Sequence, residues 1–342
     1  MFEQVISVEN LIRAWERFRR GKFTKRAVAQ FSMHAEDHLF ALHAELRSST
    51  YVHGPYEQFI VHDPKRRWIS KASVRDRIVH QAIVQGIEPV FERTFIFDSY
   101  SSRVGKGTHA CRERMAKFLR QASANNRRNV WVLQCDIRRF FDSIQHDVLL
   151  ALLAERIQDP QCLALLDMVV RSFASAVGSG RGLPLGNVTS QLFGNAYLNG
   201  LDHLMKDRLR MRWYVRFCDD FVIIHRDHAV LEDALPRIRT FLVDERSLEL
   251  HPRKVTIRKY SYGIDCVGQV LRPRVRTLRY ATVRRAFRII RLRTEAYRAG
   301  WLPDIQYRST LQSLFGLCVH GSNDRVRQRM REMVWRMLCA WK

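Results

Sequence analysis

Nowhere in the 342 residues does an apolar run approach the roughly 20 residues that a bilayer-spanning helix needs. A membrane-crossing helix is therefore not expected. The opening MFEQVISVENLIRAWERFRR carries charge too early for a secretory leader. Cysteine is sparse: seven residues, at 111, 135, 162, 218, 266, 318 and 339, with no CxxC and no paired spacing. That pattern argues against a zinc ribbon or a disulfide framework and predicts reduced core thiols in a cytoplasmic protein. No repeat, low-complexity segment or long linker interrupts the chain. Acidic residues are also in short supply. Thirty-four Asp and Glu stand against 58 Lys and Arg, a net charge of +24. Such an excess says nothing about fold, but it predicts a polyanionic partner, nucleic acid before an anionic membrane surface. Arginine dominates the basic count, which suits planar, two-point contacts with phosphate. The 46% apolar content supports a sizeable core, in one large domain or in two or three packed subregions.

Residues 8–48 read as helical, with basic punctuation in RFRRGKFTKR. The stretch YEQFIVHDPKRRWIS (56–70) reads as two short strands around a turn at Asp63-Pro64. In DRIVHQAIVQGIEPVFE, Ile78, Ala82, Ile83, Gly86 and Ile87 share one helical face. NVWVLQCDI (129–137) is strand-like. It runs into FFDSIQHDVLLALLAERI, where Asp142 or Ser143 is placed to cap a helix. Gln158-Asp159-Pro160 breaks that helix, and another follows to about Ala176. RGLPLGN (181–187) is a loop, and Thr189 opens the next helix. The strands YVRFC and FVIIH then flank two aspartates, and the tail after Thr282 is helical. Helices alternating with short strands predict an α+β fold rather than a doubly wound sheet.

Asp219 and Asp220 sit inside an apolar, β-branched and aromatic run. Burying two adjacent carboxylates without a cation is expensive. On its own an Asp-Asp at a hairpin tip is an ordinary turn. Asp136 changes the reading, because it ends the apolar strand VWVLQC and faces the same cost. Bringing Asp136 and Asp219 together demands cations. Mg²⁺ takes one or two carboxylates together with phosphate oxygens. Two such ions, about 3.5–4 Å apart, activate a 3′-hydroxyl and stabilise leaving pyrophosphate. A helix N-cap remains the alternative role for Asp136.

The ordered motifs DIRRFFDSI, GLPLGNVTSQ, YVRFCDD and LHPRK, followed by a GxxxxG strand, resemble the palm of reverse transcriptases. DRIVHQAIVQGIEPVFERTFIFDSYSSRVGKGTHA resembles the fingers of group II intron-like members. The resemblance covers about residues 55–272 and continues more weakly through SLFGLCVHGS. It implies a right-hand polymerase: an N-terminal helical extension (1–54), fingers and palm with an antiparallel palm sheet (55–272) and a helical thumb (273–342). It implies that Asp136 and Asp219 hold two Mg²⁺ ions, with Mn²⁺ as a possible substitute, helped by the Ile137 carbonyl, and that Asp220 supports them. Phe217 stands where the family usually has Tyr. Phe141 matches the ring that would collide with a ribose 2′-hydroxyl. Arg67 and Lys254 match cations for the incoming triphosphate, with Lys65 or Arg66 to assist, and Leu185 and Gly186 line the nucleotide. Arg103, Lys106 and Gln191 fall at nucleic-acid contacts.

GLPLGNVTSQ departs from the common PQGxxxSP. The last Pro becomes Gln191, and Gln becomes Leu185, which removes polar contacts at the nascent base pair. This version, followed by LFGNAYLNGLDH, is similar to reverse transcriptases of diversity-generating retroelements. Those copy a template RNA with errors opposite adenine and work with a small basic accessory protein of pentameric barrel type. The implied partners are template RNA, RNA–DNA hybrid and dNTPs, in a bacterial or phage-infected cytoplasm. Nine arginines lie within residues 272–293. A helix over 282–295 would turn Val283, Phe287 and Ile290 inward and line Arg284, Arg288 and Arg291 on another face, suited to a hybrid's backbone. Two other readings stay open: a phage-defence or retron-type reverse transcriptase, and a catalytically inactive RNA-binding protein. No HNH-like His/Cys cluster is present, so self-sufficient intron mobility is not expected.

Overall fold

The structure is a computed structural model, and it describes residues 1–62 and 66–339. Four helices open the chain: α1 (Phe2–Ile6), α2 (Val8–Arg19), α3 (Arg26–Met33) and α4 (Ala35–Arg47). Ser7 caps α2 by accepting the Asn10 N–H at 3.2 Å. A hairpin follows, β1 (Glu57–Val61) against β2 (Arg67–Lys71), antiparallel with Val61 opposite Arg67. The turn expected at Asp63-Pro64 lies outside the described residues. Helix α5 (Val74–Glu92) is capped by Ser73 and buries Ile78, Ala82, Ile83 and Ile87, the face expected from their spacing. Helix α2 packs along it. Gly86 is required there, since a Cβ would collide with Val5 of α1.

Helix α6 (Thr108–Ala122) precedes β3 (Trp131–Asp136). The short α7 (Phe140–Ser143), α8 (His146–Ala154), α9 (Pro160–Arg171) and α10 (Val188–His203) follow. Neither Asp142 nor Ser143 caps a helix. They lie inside α7, which the chain enters through Arg139 in the left-handed region (φ 45°). Helix α8 starts only at His146, because Gln145 is held extended in a bridge with Arg181. Asp159 caps α9, accepting from the N–H groups of Gln161 and Cys162 at 3.1 Å, with Pro160 as the first helical residue. Strands β4 (Trp213–Phe217) and β5 (Asp220–His225), helix α11 (His228–Thr240) and β6 (Thr256–Lys259) complete a four-stranded sheet of order β4-β5-β3-β6. Strands β7 (Ile264–Cys266), β8 (Gln269–Arg272) and β9 (Val275–Leu278) form a separate antiparallel sheet. Helices α12 (Tyr280–Arg298), α13 (Asp304–Gly316) and α14 (Asp324–Cys339) end the described chain.

This is a mixed fold of helices and small sheets, as the alternation in sequence leads one to expect. The residues fall into two compact units. One comprises Met1–Gly107, Gln134–Val222 and Glu232–Val255. The other comprises Thr108–Leu133, Ile223–Leu231 and the residues from Thr256 on. The second has its own core of Leu278, Ala286, Ile290, Leu314, Cys318 and Met330. Among the described residues, no helix is long and apolar enough to cross a membrane.

Candidate active site

Strand β3 is apolar until its last residue, Asp136. The next residue, Ile137, donates its N–H to the Asp219 carbonyl at 3.3 Å, and His251 donates its N–H to the Asp136 carbonyl at 2.8 Å. Backbone bonds therefore gather three distant segments at one strand end. Between β4 and β5 the chain turns through Cys218 at φ 59°, a left-handed conformation uncommon for a residue with a side chain. Asp219 stands in that turn, and Asp220 opens β5.

The three acids form one cluster. Asp136 and Asp220 share a hydrogen bond, and Asp136 and Asp219 repel each other. Lys254 donates from Nζ to Asp136 Oδ2 at 2.7 Å. Burial raises the Asp219 carboxyl above the usual range, and the Asp136 charge adds to this. Asp220 is pushed up to about 7, first by loss of water around its carboxyl, then by the Asp219 charge and the Asp136 hydrogen bond. The residue as a whole is exposed, but its carboxyl end is packed among these neighbours. Lys254 offsets part of both shifts. Hard oxygen donors that are costly to ionise side by side suit a divalent cation, and an ammonium already neutralises one of them. Among the described residues no three His, Cys, Asp or Glu side chains are assembled as a metal-holding group.

The turn has a support that the sequence reading missed. Arg216 is fully buried on β4. Its Nε and Nη2 donate to Asp202 at 2.8 and 2.6 Å, and its Nη1 donates to Asn195 Oδ1 at 3.0 Å and to the Cys218 carbonyl at 3.1 Å. Tyr214 donates its hydroxyl to Asp202 at 2.7 Å. Helix α10, which supplies Asn195 and Asp202, is thereby clamped to the backbone just before Asp219. A charge inside the apolar YVRFC was the available clue, but its partner lies on the preceding helix.

Beside the turn lies a cavity of about 160 Å³, lined by Phe141, Leu185, Gly186, Asn187, Gln191 and Cys218 among others. Leu183 donates its N–H to the Phe141 carbonyl at 2.8 Å, which fixes the 181–187 loop beside α7. Phe140 is core and Phe141 is half-exposed to the cavity. A Cβ on Gly194 would press on both rings, at 3.1 and 3.4 Å, so α10 can approach them only through glycine. Asn187, also missed, is buried and donates to Tyr56 at 3.3 Å, while Tyr56 is bonded to Ser172 at 3.0 Å.

The other expected residues are distributed as follows. A Cβ added to Gly186 would lie 3.5 Å from the Ile69 side chain, and Arg67 stands two residues from Ile69 on the same face of β2. Lys65 lies outside the described residues. Arg103 points inward, bonding the Glu92 carboxylate and the carbonyls of Ile96 and Ser99. Lys106 donates to the Phe97 carbonyl at 2.8 Å and sits over that ring. Gln191 is exposed and borders the cavity. In the second unit, Arg284, Arg288 and Arg291 line a cavity of about 530 Å³ while Ile290 is buried, with Val283 and Phe287 packed against the same core.

Acids at the end of a sheet strand and at an adjoining turn thus stand beside a helix-lined cavity. The chain belongs to the reverse transcriptase (RNA-dependent DNA polymerase) family, which matches residues 62–276. It is 27% identical over 243 residues to Protein YkfC of Escherichia coli (strain K12), covering 60% of this chain and 63% of that protein. It is 20% identical over 320 residues to a putative COX1/OXI3 intron 2 protein of Saccharomyces cerevisiae, covering 75% of this chain and 36% of that one. It is 28% identical over 145 residues to the mitochondrial nuclear intron maturase 3 of Arabidopsis thaliana, covering 40% and 19%. The chain thus spans under two thirds of these relatives' lengths. The fold is similar to telomerase from Candida albicans, solved with a TWJ fragment of telomeric RNA. The TM-score is 0.51 at 11% identity, over 84% of this chain and 55% of that one.

Proposed function

We propose that this chain is an RNA-directed DNA polymerase that makes cDNA by two-metal nucleotidyl transfer. The observation that carries the reading is the convergence of Asp136, Asp219 and Asp220, with Lys254 bonded to the first. Asp136, Asp219 and the Ile137 carbonyl would hold two Mg²⁺, with Mn²⁺ as substitute. Bound there, the ions would acidify a primer 3′-hydroxyl and neutralise charge on the departing pyrophosphate. Asp220 holds Asp136 by its hydrogen bond. Lys254, Arg67 and Lys65 would balance the triphosphate. Phe141 would exclude a 2′-hydroxyl, and Leu185 and Gly186 would bound the base pair by shape. Residues 55–272 would be fingers and palm, 1–54 a helical extension and 273–342 a thumb, with Arg284, Arg288 and Arg291 on the hybrid backbone.

The finer reading is error-prone copying in a diversity-generating retroelement, with a small basic accessory protein. Leu185 in place of an amide supports it, because an aliphatic wall cannot read polar edges of the nascent pair. The test is Mg²⁺-dependent primer extension on RNA with the products sequenced. Asp219→Ala is expected to abolish extension and keep RNA binding; a variant that still extends primers overturns the metal assignment. Errors concentrated opposite template adenine would support the retroelement role. Accurate synthesis would leave the polymerase and point to a phage-defence or retron-type role.

A further inference from the structure

The second unit contains a basic cleft that the polymerase reading does not use. It has a volume of about 140 Å³, and the arginines lining it are Arg120 from α6 and Arg272, Arg274 and Arg276 from the β8–β9 hairpin. Asn126 and the buried Tyr260 also line it, and no acidic side chain does. Arg276 is held by Glu113 and Arg272 by Thr277, at 3.3 Å, so two of the four guanidiniums are fixed in place. Arg120 and Arg276 both lie near enough to Tyr260 to bias its phenol.

The hairpin tip adds an independent observation. Strands β8 and β9 are joined by Pro273-Arg274 alone, with Arg272 opposite Val275. Arg274 sits at φ 69°. Proline followed by a left-handed residue is the pattern of a type II turn, whose second position favours Gly or Asn. An arginine there costs more than glycine would, and what it adds is a guanidinium at the mouth of the cleft. Glu113 neutralises Arg276 and lies within electrostatic reach of Arg120, so four guanidiniums around one small cavity share a single nearby carboxylate, and an anion with several oxygens would balance the remaining positive charge.

We infer that this cleft is a phosphate-binding site that seats the phosphodiester backbone of an RNA segment. RNA is favoured over a free polyphosphate because the whole chain is strongly basic and belongs to an RNA-copying family. The partner, though not the site, rests on that reading.

The test uses the full chain and a hairpin RNA probe in fluorescence anisotropy across a KCl series. Arg120→Gln with Arg274→Gly removes two charges, and the glycine fits the existing backbone, so the variant is expected to fold. The expected result is that the slope of log K against log[KCl] becomes shallower by about two. Arg237→Gln with Arg308→Gln, a matched loss of charge at residues paired to Asp233 and Asp304, is expected to leave it unchanged. Equal slopes for wild type and the cleft variant overturn the inference. So does an equal change in the matched control. Thermal melts with inorganic tripolyphosphate separate the two phosphate sources. If it stabilises wild type and not the cleft variant, while the RNA slopes stay equal, the ligand is a soluble polyphosphate and the RNA assignment fails. Primer extension is a separate readout: its absence in wild type counts against the polymerase reading and leaves the slope result standing.

Discussion

At the scale of single residues, the position of the acid turn depends on Arg216. It is buried, bonded to Asp202 on one side and to the Cys218 carbonyl on the other. Replacing it with Met strands a buried carboxylate, and such a loss costs about 3–5 kcal/mol. Chemical denaturation is expected to show a loss of that size, recovered in part when Asp202→Asn is added. Arg216→Lys keeps the charge but cannot fork to both acceptors. It is expected to fold and to require more Mg²⁺ for half-maximal extension; an unchanged Mg²⁺ requirement would sever Arg216 from the acid cluster. Leu185→Gln restores an amide to the cavity wall and is expected to improve selectivity opposite template adenine by several-fold. Sequenced cDNA checks this, and an identical error spectrum would place infidelity elsewhere. Asp136, Asp219 and Asp220 stood out in the sequence because carboxylates are conspicuous in apolar strands. Asn187 and Tyr56 did not, because a buried amide and a phenol in a loop look like ordinary turn residues until their partners are known.

At the scale of elements, α5 carries a buried histidine. His80 Nε2 lies 3.1 Å from His53 Nε2, and burial together with the His53 charge depresses it to about 3. Asp76 pulls in the opposite direction, Arg77 with the depression, and Tyr56 stacks on His53. A folded pKa below the unfolded value of about 6.5 means that the unfolded chain binds the proton more readily. The neutral-His80 contribution is fully present above pH 6.5 and declines as pH falls toward 3. Between pH 6 and 4 the unfolding free energy is expected to drop by up to about 1.4 kcal/mol per pH unit on this account. His80→Gln should remove that component from denaturant titrations at each pH. Most elements were readable from periodicity: the buried face of α5, the strand at 131–136 and the final helices. The boundary at α7 and α8 was not, since a bridge to Arg181 sets it, and no local cap competes with that tertiary bond.

For the whole molecule, the charge of +24 governs association more than it governs shape. Changing Arg284, Arg288 and Arg291 together to Gln is expected to weaken RNA–DNA hybrid binding about equally for all sequences. The salt slope should become shallower by about two to three, as measured by filter binding. A loss confined to particular sequences would mean that these side chains read bases instead of backbone.

The chain does not finish one compact unit before it begins the other. Each unit is woven from three separate stretches, and the chain passes between them within β3 and within β5, the strands that bear Asp136 and Asp220. Neither unit corresponds to a continuous segment of gene. A recombination event, a premature stop or a transposon landing anywhere between residues 108 and 255 divides both at once. Exchange of an internal part for a foreign one is therefore expected to disrupt both units, whereas point substitutions leave the weave intact.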